Sequence, residues 1–182
     1  ESRRIVLYAG NLERVKGLDL LIEAFGKLEA GGRELHIIGD GPERGRLAAL
    51  ARRLGGERPV RFHGRVEHRL MGTWFNACEL FCLPSLAEGT PNVVLEALAC
   101  RTPVVAADTG GIPEIVSSDS GILFRRGDVA ALAGALADAL ARSWNRERIE
   151  CPAGSWDENA RKLGEVLASA AGDAAGTAPA RS

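Results

Sequence analysis

Short, mostly apolar runs recur along this chain, each followed by a segment whose apolar residues fall at helical spacing. The runs are Ile5–Ala9, Leu35–Ile38, Val60–Phe62, Leu80–Leu83, Val104–Ala107 and Gly121–Phe124. Most end at a glycine or proline, and each is short enough for a strand buried on both faces. Between them, Gly17–Leu28 places Leu18, Leu21, Ile22, Phe25 and Leu28 on one helical stripe. Pro42 opens a second helix with Leu47, Leu50, Ala51 and Leu54 inward, and further helices are expected over Glu67–Asn76, Pro91–Cys100, Ile112–Val116, Asp128–Leu140 (capped by Asp128) and Trp156–Ala168. Strands that are apolar on both faces and alternate with helices imply a parallel sheet covered on both sides. Right-handed crossovers then give an α/β, doubly wound, Rossmann-like fold. The 182 residues suffice for one such domain over 1–170, with the small-residue segment 171–182 expected as a disordered tail.

Composition narrows the function classes. The formal net charge is −1, so neither nucleic acid nor an anionic membrane is favoured by bulk charge, and any anion must be held locally. No apolar run reaches the roughly 18 residues of a membrane span, and no signal-peptide pattern opens the chain. Cys78, Cys82, Cys100 and Cys151 form no Cys-x-x-Cys pair and are expected as reduced thiols in a cytoplasmic protein. The chain begins at Glu1 without Met, just before its first strand, as an excised domain would.

In an open parallel sheet, ligands bind beyond the carboxyl ends of the strands. The segments leaving those ends are Gly10–Lys16, Gly39–Pro42, Gly64–Val66, Pro84–Asn92 and Asp108–Gly111. Of these, Glu88–Glu96 is the richest. It reads Glu-Gly-Thr-Pro-Asn-Val-Val-Leu-Glu, with Pro91 suited to the first helical position and Thr90 to the cap. The amides of that helix start suit an anion such as phosphate, and a carboxylate stands on either side. Carboxylates accept from vicinal hydroxyls such as those of a ribose or hexose. Glu96 in the first turns of a helix also has a plainer reading, as a partner of the helix dipole. Lys16 gains nothing from that dipole ahead of a helix, so it reads either as a solvated surface lysine or as a cation reaching across the rim, flanked by Gly10 and Gly17. Gly39-Asp40-Gly41-Pro42 is most simply a strand-to-helix turn, whereas Gly110-Gly111 fits either tight packing or close approach to a ligand. His36, His63 and His68 lack metal-ligand spacing, and no metal site is expected. Neither Gly-x-Gly-x-x-Gly nor a Walker lysine motif is present.

Taken in order, Gly10-Asn11-Leu12, Lys16-Gly17, Gly39-Asp40-Gly41-Pro42, Phe62-His63-Gly64, Pro84-Ser85, Glu88-Gly89 through Glu96-Ala97, Pro103-Val104-Val105-Ala106 and Gly110-Gly111 with Glu114 resemble the C-terminal domain of the GT-B retaining glycosyltransferases of family 4, the glycosyl transferases group 1. The resemblance covers residues 4–165, and the two glutamates separated by Gly89–Leu95 are its most specific mark. It implies the C-terminal half of a GT-B fold, binding a nucleotide-diphosphate sugar such as a UDP-sugar for retaining transfer of a hexosyl group. It further implies that Glu96 holds the ribose hydroxyls and Glu88 the sugar near its 3-hydroxyl. The backbone of Gly89, Thr90, Pro91, Asn92 and Val93 would meet sugar and phosphate, and Lys16 the diphosphate, with Gly10 and Asn11 on the facing rim. No metal cofactor is implied, since side-chain cations and a helix N-terminus neutralise the leaving diphosphate.

One position departs from the pattern. Many members carry Arg where this chain has Asn11, a second phosphate cation; Arg14 stands nearby as a replacement. The family's acceptor site belongs to a separate N-terminal half, against which Trp156–Leu167 resembles the closing helix, and any peripheral membrane contact would come through that half. By this reading the chain binds donor but transfers nothing alone, so no catalytic residue is assigned within it. The alternative is a non-catalytic nucleotide-sugar-binding or subunit-pairing module; a sugar-nucleotide 2-epimerase of like architecture fits less well, lacking this glutamate pattern.

Overall fold

The computed structural model describes residues 4–29, 32–54 and 59–152. The chain divides after Cys151 into two units, and the sheet with its helices belongs to the first. The expected helix over Trp156–Ala168, the domain limit at 170 and the tail at 171–182 lie outside the described residues.

Six strands form one parallel sheet: β1 (Arg4–Ala9), β2 (Arg33–Ile38), β3 (Val60–Gly64), β4 (Leu80–Leu83), β5 (Val104–Ala107) and β6 (Gly121–Phe124). Their order is β3-β2-β1-β4-β5-β6. The helices between them are α1 (Leu18–Lys27), α2 (Arg44–Leu54), α3 (Met71–Ala77), α4 (Asn92–Ala99), α5 (Ile112–Ile115) and α6 (Val129–Ala141). The chain first winds outward from β1 to β3, then crosses back and winds the other way. Right-handed crossovers therefore place α1 and α2 on one face and α3 and α4 on the other. α6 returns to pack on α1. The doubly wound fold read from the sequence is the fold observed.

β4 and β5 are buried over their whole length, as their unbroken apolar runs require. β3 departs from that expectation. It is an edge strand with alternating exposure, and Arg61 and His63 point outward. Its neighbour β2 carries the buried Glu34 and His36, which are satisfied laterally. Arg61 Nε donates to Glu34 Oε2 at 2.7 Å, His36 Nε2 lies 2.9 Å from the same oxygen, and His63 Nε2 lies 3.1 Å from His36 Nδ1. Trp74 of α3 closes over both imidazoles, 4.6 Å from the His63 ring centroid. Burial, together with the charges of His36 and Arg61, pushes the His63 imidazole below its ordinary range.

Three helix starts shift. α2 begins at Arg44, two residues after the Pro42 expected to open it. The segment expected as one helix from Glu67 divides into a 3₁₀ turn, His68–Leu70, and α3. Pro91 stands just ahead of α4, which begins at Asn92. Asp128 does cap α6, accepting from the amides of Ala130 and Ala131 at 2.9 Å each. Beyond α6, a 3₁₀ turn at Arg146–Arg148 not foreseen from the sequence leads the chain back toward β4: Arg146 Nη2 donates to the Cys78 carbonyl, and Ile149 is buried. All four cysteines are free, and burial pushes the Cys78 thiol up to about 12.

What positions the site is the lacing of the carboxyl rim. Gly10 N–H donates to the Ile38 carbonyl, Leu12 N–H to Asp40 and Gly39 N–H to Gly64, so the loops after β1, β2 and β3 are tied in sequence. On the other side two glycines allow backbones to touch. Gly17, at φ 63°, lies where a Cβ would overlap the Pro84 carbonyl. Gly110, at φ 58°, lies where a Cβ would overlap the carbonyl of Glu88, and Gly111 N–H donates to the Gly89 carbonyl at 2.9 Å. The Gly110-Gly111 pair is thus a packing device holding the 88–89 loop.

Two stability measurements test these contacts. Gly110→Ala combines a disfavoured φ with overlap against a fixed carbonyl, and costs about 2–4 kcal/mol in chemical denaturation. A methyl tolerated there would refute the interlocking. The Asp128 carboxyl is held below its ordinary range, first by the Ala131 amide. A depressed folded value means the cap's contribution is complete above the unfolded carboxyl's range and is lost as the pH falls through the folded one. Asp128→Ala therefore lowers the unfolding midpoint at neutral pH, and the gap to the wild type closes on acidification. A gap independent of pH would remove the charge from the explanation.

Candidate functional site

The strand order reverses between β1 and β4, and the loops that leave these two strands part to form a crevice. After β1, the hydroxyl of the buried Tyr8 donates to the Asn11 carbonyl at 2.9 Å and fixes the first turn of the loop. A 3₁₀ turn, Arg14–Lys16, then ends at Gly17, whose positive φ starts α1 and aims Lys16 back across the crevice. After β4, Pro84 abuts Gly17, and Leu86 N–H donates to the Val15 carbonyl at 2.8 Å. The two loops are thereby bolted together on either side of Ser85.

Lys16 and Glu88 meet in that frame. Lys16 Nζ lies 2.7 Å from Glu88 Oε1, with the lysine side chain 25% and the glutamate side chain 11% exposed. The fully buried Ser85 donates its hydroxyl to the same oxygen, also at 2.7 Å. Lys16 is therefore no solvated surface lysine. Its burial and its short contact place the pair above an exposed salt bridge in strength.

α4 begins one residue later than the sequence suggested. Pro91 is extended at φ −77°, ψ 114° and stands at the cap, its carbonyl accepting from Val94 N–H at 3.0 Å. Thr90 consequently sits one residue too far upstream to cap, and no side chain caps this helix. Its hydroxyl faces Gly111, where a Cβ would lie 2.8 Å from Oγ1. The shift leaves the helix start open all the same: the amides of Asn92 and Val93 have no carbonyl one turn back within α4, and both residues line the crevice. One helical turn on, Glu96 faces the crevice too, with Oε1 3.2 Å from Nε2 of His68.

Together these groups line a cavity of about 540 Å³. Gly10, Asn11, Lys16, Glu88, Pro91, Asn92, Val93 and Glu96 all face it, whereas Gly89 and Thr90 do not. Ligand-sized and open to one side, the cavity has acids at both ends of the α4 start and a cation across from it. Arg14 is not among the lining residues; its side chain is 83% exposed and its Nε lies 3.7 Å from Glu43. The second cation that does line the cavity, after Lys16, is Arg65, and Asp40, Val66 and Met71 line it too. None of these four was singled out from the sequence as a ligand contact, although the rim segments after β2 and β3 contain three of them. Asp108 lies outside the lining. Among the described residues no three His, Cys, Asp or Glu side chains are grouped to hold a metal ion, and no helix is long and apolar enough to cross a membrane.

Known proteins are similar to this chain in sequence and in fold. A D-inositol 3-phosphate glycosyltransferase of Xylanimonas cellulosilytica is 35% identical over 179 residues, covering 91% of this chain and 42% of the relative. Among solved structures, the sucrose-phosphate synthase of Thermosynechococcus elongatus superposes with a TM-score of 0.77 at 26% identity, over 94% of this chain and 46% of that one. Anabaena HepE in complex with UDP gives 0.73 at 25% identity, over 92% and 49%. The chain thus spans less than half the length of each of these proteins. The family profile described as glycosyl transferases group 1 matches residues 1–162. By that match and by its GT-B-type sheet, the chain belongs to the glycosyl transferases group 1.

Proposed function

We propose that the crevice between β1 and β4 is the donor site of a retaining glycosyltransferase, taking a nucleotide-diphosphate hexose and serving transfer of the hexosyl group to an acceptor. The observation that carries the reading is the single cavity in which Lys16, the open amides of α4, Glu88 and Glu96 converge. An elongated donor needs three kinds of contact in line, and this lining supplies them. Glu96 accepts from the ribose hydroxyls, the backbone from Pro91 to Val93 and Lys16 meet the diphosphate, and Glu88 accepts from the sugar near its 3-hydroxyl. Gly10 and Asn11 close the facing rim. Asn11 offers hydrogen bonds without charge, and Arg65 supplies the second cation.

When the bond from the anomeric carbon to the diphosphate oxygen breaks, negative charge grows on the leaving group. Preorganised cations and amides lower the barrier by meeting that charge, and in this reading they make a metal unnecessary. Glu88 receives two donors on one oxygen. An oxygen engaged in this way is arranged to accept hydrogen bonds, as a group that binds hydroxyls is. A uridine nucleotide draws support from the structure of HepE with UDP. An N-terminal domain holding the acceptor draws support from the share of the relatives' length that this chain spans. Free thiols suit a cytoplasmic setting.

Calorimetric titration with UDP-, GDP- and ADP-sugars tests the assignment. The wild-type chain binds one of them with Kd below millimolar. Glu96→Ala loses two hydrogen bonds to a charged acceptor and weakens that binding by about 3 kcal/mol, some two powers of ten. Absence of any binding at millimolar donor would sink the donor-site reading, and unchanged affinity in Glu96→Ala would sink the ribose assignment. Joined to an N-terminal half, the chain transfers the sugar; binding without transfer there would make it a sensing module.

A further inference from the structure

We infer that Ser85 is a positioning residue for recognition of the donor sugar: it holds Glu88 by Oε1 so that the carboxylate keeps its place when Lys16 turns from Glu88 to the diphosphate. This rests on the donor-site reading of the crevice.

Two donors share Glu88 Oε1, each at 2.7 Å, and they differ in kind. Lys16 is a charge on a flexible four-carbon stem, a quarter exposed. Ser85 is neutral, has a single side-chain torsion and is wholly buried. Its backbone is pinned on both sides, by Pro84 against Gly17 and by Leu86 N–H on the Val15 carbonyl. A diphosphate competes for the cation and has no claim on the buried hydroxyl. Once Lys16 departs, Glu88, whose side chain is only 11% exposed, would be left as a poorly solvated carboxylate without a donor. Ser85 supplies that donor. It also decides which oxygen is offered to ligand, because Oε2 takes no hydrogen bond from any described residue. A carboxylate fixed by one oxygen presents the other in a defined direction, which is what discrimination between sugar hydroxyls requires.

The test is a ratio of two affinities, using the nucleoside diphosphate and the corresponding nucleotide sugar of whichever base the wild type takes (UDP with UDP-glucose, GDP with GDP-mannose, or ADP with ADP-glucose). A residue that only supports the fold would change both equally. Ser85→Ala is expected to leave the diphosphate affinity within about twofold while weakening the nucleotide sugar about tenfold. In a Glu88→Gln background, the same substitution moves the ratio no further. Equal loss for both ligands, or no loss for either, overturns the inference. Should Ser85→Ala fail to fold, Ser85→Cys keeps the volume while weakening the donor, and the same selective loss is expected. A wild type that binds neither ligand removes the donor-site reading and this inference together, and that failure is seen before any variant is made.

Discussion

The crevice depends on close backbone contacts that a side chain would prevent, and two of them set the walls that carry Lys16 and Glu88. Gly17 lies on the Pro84 carbonyl, and Gly110 lies on the carbonyl of Glu88. The first contact joins the loops of β1 and β4, the strands on either side of the reversal in strand order. The second clamps the loop that carries Glu88 from behind. Each contact spans a long stretch of sequence, and neither gains much from apolar burial. Their worth is geometric: they bring a lysine and a glutamate 72 positions apart to 2.7 Å. Without this close approach, Lys16 would face solvent, and an isolated surface charge holds no fixed position.

The sheet was largely legible because burial writes itself into composition. β4, β5 and β6 fall on the residues read as apolar runs, and β1 and β2 extend only one or two residues earlier. β3 was recognised as a strand but misjudged in kind. An edge strand has one wet face, and Arg61 and His63 carry that signal in plain alternation. The site was legible in part. Glu88, Glu96 and Lys16 were found because topology confines strand-end loops to one rim. Thr90 and Pro91 were placed one step too early, since proline fixes its own φ whether it caps a helix or begins one; ψ decided, and ψ is set by packing.

What remained hidden was pairing. No local pattern tells Lys16 that its partner is Glu88, or Glu96 that His68 lies 3.2 Å away. Arg65 was hidden for another reason. It follows a strand-ending glycine in an exposed loop, a position most surface arginines could share, and only the closure of the crevice distinguishes it. The laterally satisfied Glu34 and His36 belong to the same class: their burial makes sense only once β2, β3 and α3 are side by side.

Charge balance gives the pairing its meaning. The lining carries Lys16 and Arg65 against Asp40, Glu88 and Glu96. Its formal charge is therefore anionic before any ligand enters, an odd preparation for a diphosphate if the residues are merely counted. They are not equivalent, however. Asp40 is 41% exposed and faces Arg44, and Glu96 sits one helical turn inside α4. Only Glu88 is both largely shielded and directly bonded to a lining cation. On the donor-site reading, binding is then an exchange of ion pairs, in which Lys16 gives up a carboxylate and gains a phosphate, and its contribution is the difference between the two. A site built this way keeps its lysine ordered and at hand when empty, and limits what that lysine adds to affinity when filled. The remainder has to come from groups that surrender nothing on binding, and the open amides of Asn92 and Val93 are of that kind.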